Sequence, residues 1–373
     1  MDRADIPLPA DCVNVAEWEI VDDHPDHPDH HGYRHVAQTN VNLPISSDLL
    51  YFFSRGSLSH GVIRFVDSGA ENSDVASVDV RFLYNEQNLI DFAKVCHLQK
   101  DDSKNGVGIF SPSWVNHPRD HHHRTAFDVV VTLPTSAWIE TLETNMPLFV
   151  HELEDFRNTI YFSSISLSTT NVPIHAEYLS AAKARLRTTN SNIAGTINAT
   201  EVIDLNTSNA PINAQLVLTN EDTGSPSRIT AHTSNSNVKL DISLASAAKD
   251  NKGGVFKVDV TSSNGPLDVQ YSAAPVGSKL DFRGTTSNSP ARVTTHETFE
   301  GTFLLTTGRW FDAAVHVNGN AEDPAGEGRQ RRLTTRISQK GRAEGKVVWD
   351  SDSGKELGSV QIQTSNSPAH LFV

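Results

Sequence analysis

One short polar phrase recurs along this chain, and this repeat constrains the fold more than any other feature of the sequence. "TSNSP" stands at positions 286–290 and again at 364–368, with "TSNAP" at 207–211 and "TSNSN" at 233–237. An enzyme usually needs one active site, so a repeated phrase indicates a structural corner rather than a catalytic loop. Aligned on the asparagine, the looser phrase [T/S]-N-x-[P/N] has eight copies, at Asn145, Asn171, Asn190, Asn209, Asn235, Asn264, Asn288 and Asn366.

Apolar and polar residues alternate after each phrase. The third, fifth and seventh residues after Asn235, for example, are Val238, Leu240 and Ile242, and Lys239 and Asp241 stand between them. This period of two is typical of a strand with one buried face. Each unit is therefore predicted to be a turn followed by a strand. Because one unit cannot bury its apolar face alone, the units should stack. The predicted fold is all-β: a parallel β-roll or β-solenoid with repeated [T/S]-N-x-[P/N] turns.

The eight asparagines are predicted to be structural turn residues. Asparagine tolerates left-handed backbone and can close a local turn through its side chain. Parallel stacking would also place the asparagines above one another at a strand spacing of about 4.8 Å, which favours a hydrogen-bonded asparagine ladder. On the outer face, the residues after Asn235, Asn264 and Asn288 place Lys239, Asp268 and Arg292 in successive units, with alternating charge. The last interval, from Asn288 to Asn366, is 78 residues, and either unmarked units fill it or the final strand pairs elsewhere.

The rest of the chain divides by composition. Residues 1–40 are rich in histidine, aspartate and proline and are predicted to be irregular. Residues 41–373 are predicted to form one β-solenoid domain, with dense repeats at 134–300 and an insertion at about 319–345. The stretch "NEQNLIDFAKVCHL" could be either a short helix or a strand.

Three segments together resemble a known family. "FFSRGSLSHGVIRFVDSG" is followed by "FDVVVTLP" and then by several "TSNxP-aliphatic" units. This succession resembles the adhesin-like β-roll or β-solenoid family, which has many bacterial members and fungal relatives and is of unknown function. The resemblance covers roughly residues 41–300 and the last twelve. It implies a stacked β fold and brings no catalytic residues with it. The chain departs from the family in its histidine-rich segments, in the insertion after residue 318 and in having no visible secretion signal.

Composition excludes some partners and suggests a compartment. The net charge of −14 argues against broad nucleic-acid binding and against docking on an anionic membrane. No apolar run approaches the length of a membrane span. The two cysteines, Cys12 and Cys96, could pair, although their spacing does not require it. A low cysteine count and an N-terminus without a signal peptide predict a cytoplasmic protein, or a secreted one if the N-terminus was trimmed.

Two histidine-rich runs are candidate metal sites. Imidazoles and carboxylates at short spacing can bind zinc, copper or nickel. Prolines interrupt the spacing and neither run matches a defined metal signature, so a polar loop that binds no metal is the competing interpretation, and no cofactor is otherwise expected. The candidate ligands are His24, His27, His30, His31, His35, His117, His121, His122 and His123.

Three further features could carry function. Asp241 and Asp268 point outward in neighbouring units and could act as the two carboxylates of a glycosidase, although exposed surface acids explain them equally. The segment 329–342, "RQRRLTTRISQKGR", has six basic residues and no acid, so it could bind an acidic partner or form an exposed hairpin loop. Each scattered tryptophan could stack on a sugar or belong to the core. These tryptophans are Trp114, Trp138, Trp310 and Trp349.

These observations favour a non-enzymatic scaffold, adhesion or ligand-binding protein, with a glycan or another protein as ligand. The alternative is a metal-dependent or carbohydrate-active enzyme on the same β-solenoid scaffold. No phosphate-binding loop, dinucleotide fingerprint or nucleophile elbow occurs in the sequence.

Overall fold

A computed structural model describes residues 6–21, 33–70, 73–113, 124–221, 224–319, 321–350 and 358–373. The prediction of an all-β protein is confirmed. The described residues form 27 strands and two short 3-10 helices, Gln87–Phe92 and Lys249–Asn251. "NEQNLIDFAKVCHL" thus contains one helical turn and then a strand. The chain divides into two units, Met1–Ser180 and Ala181–Val373.

The first unit mixes parallel and antiparallel strands. Its strands are β1 Cys12–Val15, β2 Glu19–Val21, β3 His35–Pro44, β4 Leu49–Arg55, β5 Gly61–Asp67, β6 Val75–Tyr84, β7 Lys94–Asp101, β8 Lys104–Phe110, β9 Thr125–Leu133, β10 Trp138–Asn145, β11 Phe149–Asp155, β12 Tyr161–Ser168 and β13 Ile174–Arg187, the last of which continues into the second unit. One parallel row runs β8–β4–β10–β12 and another β9–β5–β11–β13. Antiparallel strands β1 and β7 extend the first row, and β2, β3 and β6 extend the second.

The second unit is mostly parallel. Its further strands are β14 Ile193–Asn206, β15 Ile212–Asn220, β16 Ser227–Thr233, β17 Val238–Ser246, β18 Val255–Ser262, β19 Leu267–Ala273, β20 Lys279–Thr285, β21 Ala291–Thr294, β22 Gly301–Thr306, β23 Ala313–His316, β24 Arg331–Gln339, β25 Arg342–Trp349, β26 Gly358–Gln363 and β27 Ala369–Phe372. One row is β14–β15–β17–β19–β21–β27–β23, and the other is β14–β16–β18–β20–β26–β22. The hairpin β24–β25 adds to β22 in antiparallel fashion.

In-register pairing builds the core of this unit. In the first row, the first residue of one strand pairs with the first residue of the next strand. Apolar side chains at equivalent positions therefore form columns. One column is Ile193, Ile212, Val238, Leu267, Ala291 and Ala369, and every member is at most 1% exposed. Burying such side chains contributes roughly 1.5–3 kcal/mol for each large one. The inward direction predicted from the alternation is correct for Ile212, Val238 and Leu267.

Five hydrogen bonds link six of the repeated asparagines in a row. The Nδ2 atom of each donates to the Oδ1 atom of the one before, in the order Asn190, Asn209, Asn235, Asn264, Asn288 and Asn366, at distances of 2.6, 2.6, 2.7, 2.7 and 2.8 Å. We call these six residues the asparagine row. Asn145 lies elsewhere, in the first unit, where its Oδ1 accepts from Arg55 Nη1 at 3.4 Å.

At three corners in the middle of the row, the residue two positions before the asparagine provides a second bond between corners. Its buried hydroxyl donates to the carbonyl that follows the preceding asparagine: Thr233 Oγ1 to Ala210, Ser262 Oγ to Ser236 and Thr286 Oγ1 to Gly265, all at 3.0–3.1 Å. Both parts of the "TSN" phrase therefore bond to the neighbouring corner.

Left-handed backbone, which asparagine tolerates, is not adopted by the asparagines of these corners. Among the described residues, five non-glycine residues have a positive φ, namely Ser136, Asn158, Asp250, Asn251 and Asp350. None of the eight repeated asparagines is one of them. The five side-chain hydrogen bonds of the asparagine row reach the neighbouring corner rather than their own turn. The asparagine is therefore explained by its amide, which both donates and accepts, rather than by backbone conformation.

In the described part of the long interval before Asn366, β22 and β23 form one unmarked pair of stacked strands rather than several hidden repeats. Strand β27 pairs directly with β21, and β26 pairs with β20. The intervening strands β22 and β23 pair with the other edges of β26 and β27. The last repeat in sequence thus lies between strands that precede it in the chain.

The N-terminal residues are more ordered than their composition suggests. Residues 1–40, predicted to be irregular, contain β1, β2 and the first half of β3. Cys12 of β1 forms a disulfide with Cys96 of β7, with the Cα atoms 5.5 Å apart. Tyr51 Oη donates to Asp11 Oδ2 at 2.9 Å and adds a second contact to this segment. In the described part of the chain no helix is both long and apolar enough to cross a membrane.

Replacing an asparagine inside the row should cost more stability than replacing one at its end. Asn264 makes two bonds within the row and Asn366 makes one. At about 0.5–1.5 kcal/mol for each bond, Asn264→Ala should lower the free energy of unfolding by roughly twice as much as Asn366→Ala. Urea denaturation of both variants measures this. Equal losses would show that the row contributes nothing beyond the shape of each corner.

Breaking the disulfide should destabilise the protein. The bond closes a loop between residues 84 positions apart, which restricts the unfolded chain and corresponds to about 4.5 kcal/mol in the loop-entropy treatment. Cys12→Ser should therefore lower the midpoint of thermal unfolding under non-reducing conditions. With a reductant present, the wild type should fall to the level of the variant. A wild type that does not respond to reductant would contradict the pairing.

Candidate functional site

Eight of the nine predicted metal ligands lie outside the residues that the structure describes. His24, His27, His30, His31, His117, His121, His122 and His123 lie outside the described residues. His35 is described, and its ring packs against Tyr84 with centroids 5.2 Å apart. Within the described ranges, no group of three or more histidine, cysteine, aspartate or glutamate residues could hold a metal ion. A metal site at the two histidine-rich runs therefore stays a prediction.

The two candidate catalytic acids line one groove. The outer groove is an open depression of about 770 Å³ on the outer face of β14, β15, β17 and β19. Asp241 and Asp268 lie on its floor and come from neighbouring strands. Its polar lining consists of Thr196, Asn213, Gln215, Lys239, Asp241, Asp268 and Gln270.

The surroundings of these two carboxylates suit binding better than catalysis. Asp268 stands between Lys239 and Arg292 in the strand register, so opposite charges flank it as the sequence spacing predicts. Asp241 stands beside Gln270. A glycosidase needs one carboxyl group that stays protonated, usually because burial raises its pKa. Both side chains here are exposed, and the groove is open to water in the part of the chain that the structure describes.

An exposed tryptophan beside a half-buried tyrosine forms a second candidate site, in the first unit. Trp138 begins β10 and faces Tyr161, which begins β12, with ring centroids 4.7 Å apart. Trp138 is 64% exposed, which is unusual for so large an apolar side chain. Glu140 and Ser163 lie next to the rings on the same outer face. We call these four residues the aromatic platform.

Hydrogen bonds hold the indole ring of the platform in place. Trp138 Nε1 donates to Ser163 Oγ at 2.8 Å, and Ser163 Oγ donates to Glu140 Oε2 at 3.0 Å. The indole donor is thereby satisfied, and the ring has a fixed orientation towards solvent. Glu140 is exposed, and a carboxylate has further lone pairs that can accept bonds from a ligand. The platform thus combines a flat apolar surface with an adjacent acceptor.

Sequence reasoning named Trp138 but did not separate it from the other tryptophans. Trp349 is only 4% exposed, whereas Trp310 is 78% exposed and packs against Arg309 at 4.6 Å. Trp114 lies outside the described residues. The sequence pattern that distinguishes Trp138 is alternation: Trp138 and Glu140 lie on the outward face of one strand. Tyr161 and Ser163 lie at the matching positions of the strand that pairs with it.

The basic segment 329–342 is largely a hairpin rather than a loop. Most of it belongs to β24 and the turn before β25. Arg329 Nη2 pairs with Asp323 at 2.8 Å, and Arg342 Nη2 pairs with Glu344 at 2.7 Å. Acids within the chain therefore neutralise part of this charge, which weakens the argument for an acidic partner.

His151 is a buried titratable residue that sequence reasoning missed. It is 0% exposed, and its two ring nitrogens lie 2.8 Å from the Phe149 carbonyl and 2.7 Å from Thr144 Oγ1. The carbonyl can only accept, so Nδ1 carries the proton and Nε2 accepts from the threonine hydroxyl. Burial lowers the pKa of His151 from 6.5 to about 4. Because no ligand can reach the ring, its role is structural.

Comparison with known proteins gives distant structural similarity. The sequence matches no protein-family model and no curated protein. A "putative cell adhesion protein" from Clostridium sporogenes ATCC 15579 is 8% identical, with 90% of this chain and 98% of that chain aligned at a TM-score of 0.19. A "putative adhesin" from Parabacteroides merdae ATCC 43184 is 13% identical over 66% of this chain and 95% of that one, with a TM-score of 0.24. Another from Parabacteroides distasonis ATCC 8503 is 15% identical over 66% and 96%, with a TM-score of 0.21. At these TM-scores the likeness supports no inference about this chain.

Stability should fall in mild acid because of His151. Between pH 6.5 and about 4 the unfolded chain binds a proton at this residue that the folded chain does not. Stability is therefore highest above this range and decreases as the pH falls through it, by roughly 3 kcal/mol.

A matched pair of variants isolates this effect. His151→Asn should flatten the dependence of unfolding free energy on pH between 6.5 and 4, even if it lowers stability at every pH. His175→Asn changes an exposed histidine on the adjacent strand and should leave the slope as it is. A His151→Asn variant with the wild-type slope would show that other groups cause the dependence.

Proposed function

We propose that this protein is a non-enzymatic ligand-binding protein that binds glycans at the aromatic platform. The observation that carries the proposal is the Trp138–Tyr161 pair, fixed by Ser163 and adjacent to Glu140. An aromatic ring stacks on the apolar face of a sugar ring, while a neighbouring carboxylate accepts bonds from the sugar hydroxyls. Since the indole is already held in place, binding loses little side-chain entropy.

We also propose that the stacked strands form a parallel β-solenoid with the asparagine row as its ladder. The hydrogen bonds between successive asparagines and the in-register parallel pairing support this description. It agrees with the resemblance of the sequence to the adhesin-like family. Such a scaffold is rigid along the strand direction and presents outer-face side chains in regular columns, which suits recognition of an extended ligand.

A carbohydrate-active enzyme is less well supported. Its candidate acids, Asp241 and Asp268, are exposed in an open groove, and cations flank Asp268. The same groove, lined by amides and charges, suits binding of a polar ligand better than catalysis. Metal-dependent catalysis would rest on the histidine-rich runs, and metal analysis of protein made without a histidine tag tests it.

The disulfide bears on the compartment. The sequence alone predicts a cytoplasmic protein, but a disulfide between β1 and β7 favours an oxidising environment. We therefore propose that the protein functions outside the reducing cytosol, where glycans are also exposed.

The glycan proposal predicts a specific loss of binding. The wild-type protein should bind a subset of glycans on a broad array, and Trp138→Ala should weaken that binding roughly tenfold or more, as expected for an aromatic contact at the centre of a site. Titration calorimetry with the best array ligand gives the dissociation constants.

Trp310→Ala is the matched control, because Trp310 is equally exposed but forms no hydrogen-bonded platform in the described structure. It should bind as the wild type does. An array with no hits, or equal losses in both variants, would exclude the platform as a glycan site and leave a protein ligand as the alternative.

A further inference from the structure

Arg331 has a charged group that is buried without a hydrogen-bond partner. It begins β24 and faces Trp349 on β25, with its guanidinium carbon 5.7 Å from the centre of the indole ring. All three guanidinium nitrogens are sealed from solvent. No residue in the described part of the chain accepts a hydrogen bond from any of them. Such a group is costly to bury, because a guanidinium carries five N–H donors and keeps its charge.

Arg329, two residues earlier, provides a comparison because its guanidinium has hydrogen-bond acceptors. It packs against the same Trp349 ring at 5.8 Å, but its Nε and Nη2 atoms donate to Asp323 Oδ1 at 3.1 and 2.8 Å. Arg331 has no such carboxylate. Glu297 is close enough to attract it electrostatically, yet Glu297 Oε1 accepts instead from Asn318 Nδ2 at 3.2 Å. The arrangement thus lacks an anion at Arg331.

A cavity of about 350 Å³ adjoins this arginine. Its size is that of a small-molecule pocket, and such pockets combine apolar walls with a few polar groups. The polar groups of the lining include Asn318, Gln330 and Arg331. The apolar walls are formed by Val317, Leu333, Val347, Trp349 and Val373.

We propose that this cavity binds a small organic carboxylate with an apolar body, and that Arg331 is its counter-ion. The planar guanidinium matches a carboxylate through two parallel hydrogen bonds, and the apolar walls accept the rest of the molecule. Because the nitrogens are sealed in the structure, binding requires Arg331 to turn towards the cavity that it lines. Burial lowers the pKa of Arg331, with Glu297 opposing the shift, as expected for a cation without its partner. The site is independent of the aromatic platform.

Benzoate is a suitable probe, and benzyl alcohol is its neutral control. Benzoate should raise the unfolding midpoint of the wild type in a saturable manner, by roughly 3 °C at ten times its dissociation constant, and should change tryptophan fluorescence through Trp349. Benzyl alcohol, and acetate or inorganic phosphate at equal ionic strength, should have a much smaller effect. A wild type that responds to none of the anions, or to phosphate more than to benzoate, overturns the proposal.

Two matched variants test the role of Arg331. Arg331→Met should weaken benzoate binding at least about tenfold, while the unliganded protein stays as stable as the wild type or becomes more stable, because an unpaired buried charge is removed. Arg332→Met makes the same change at an exposed position one residue along β24 and should retain benzoate binding. If Arg331→Met binds benzoate normally, the cavity does not use this arginine. If the unliganded Arg331→Met protein is clearly less stable, Arg331 already has a partner within the chain, and the proposal fails.

Discussion

The fold of the second unit depends on keeping parallel strands in register. A shift by one residue would turn every apolar side chain outward, so the register must be fixed at a point where the strands cannot slide. The corners provide that point. At the inner corners a buried hydroxyl bonds to the neighbouring backbone, as Thr233 does to Ala210, and an amide bonds to the next amide, as Asn235 does to Asn209. Both bonds form only when the corners lie directly above one another.

With the corners fixed, the outer face also becomes regular. Residues with the same offset from the asparagine form columns, so Lys239, Asp268 and Arg292 alternate in charge along one line. Opposite charges on adjacent strands are weakly favourable, and like charges would be unfavourable. The aromatic platform follows the same geometry in the first unit, where Trp138 faces Tyr161 across two parallel strands. The outer groove and the aromatic platform are therefore built from columns of strand residues rather than from loops.

Local regularities made the repeated part of this structure predictable from sequence. The alternation after each asparagine predicts the buried column containing Ile212, Val238 and Leu267, because a strand has a side-chain period of two. What could not be predicted depends on contacts between distant segments. Nothing near Cys12 identifies Cys96 as its neighbour, and nothing near Arg331 shows that an acid is missing. Asparagine suits both a local turn and a bond between corners, so the amino acid alone does not distinguish these two uses.

The position of β26 and β27 affects how this unit can assemble. Residues 301–316 are synthesised before residues 358–372, yet they pair with them in parallel on the side away from β20 and β21. A simple repeat array can grow one repeat at a time as the chain emerges. Among the described residues, the strand that pairs with β23 is β27, which is synthesised last. Before β27 is synthesised, β22, β25 and β24 can already pair with one another in antiparallel fashion. Insertion of β26 and β27 between the earlier strands is therefore a late step that joins distant segments. The C-terminal strands of this unit fold together rather than one repeat at a time.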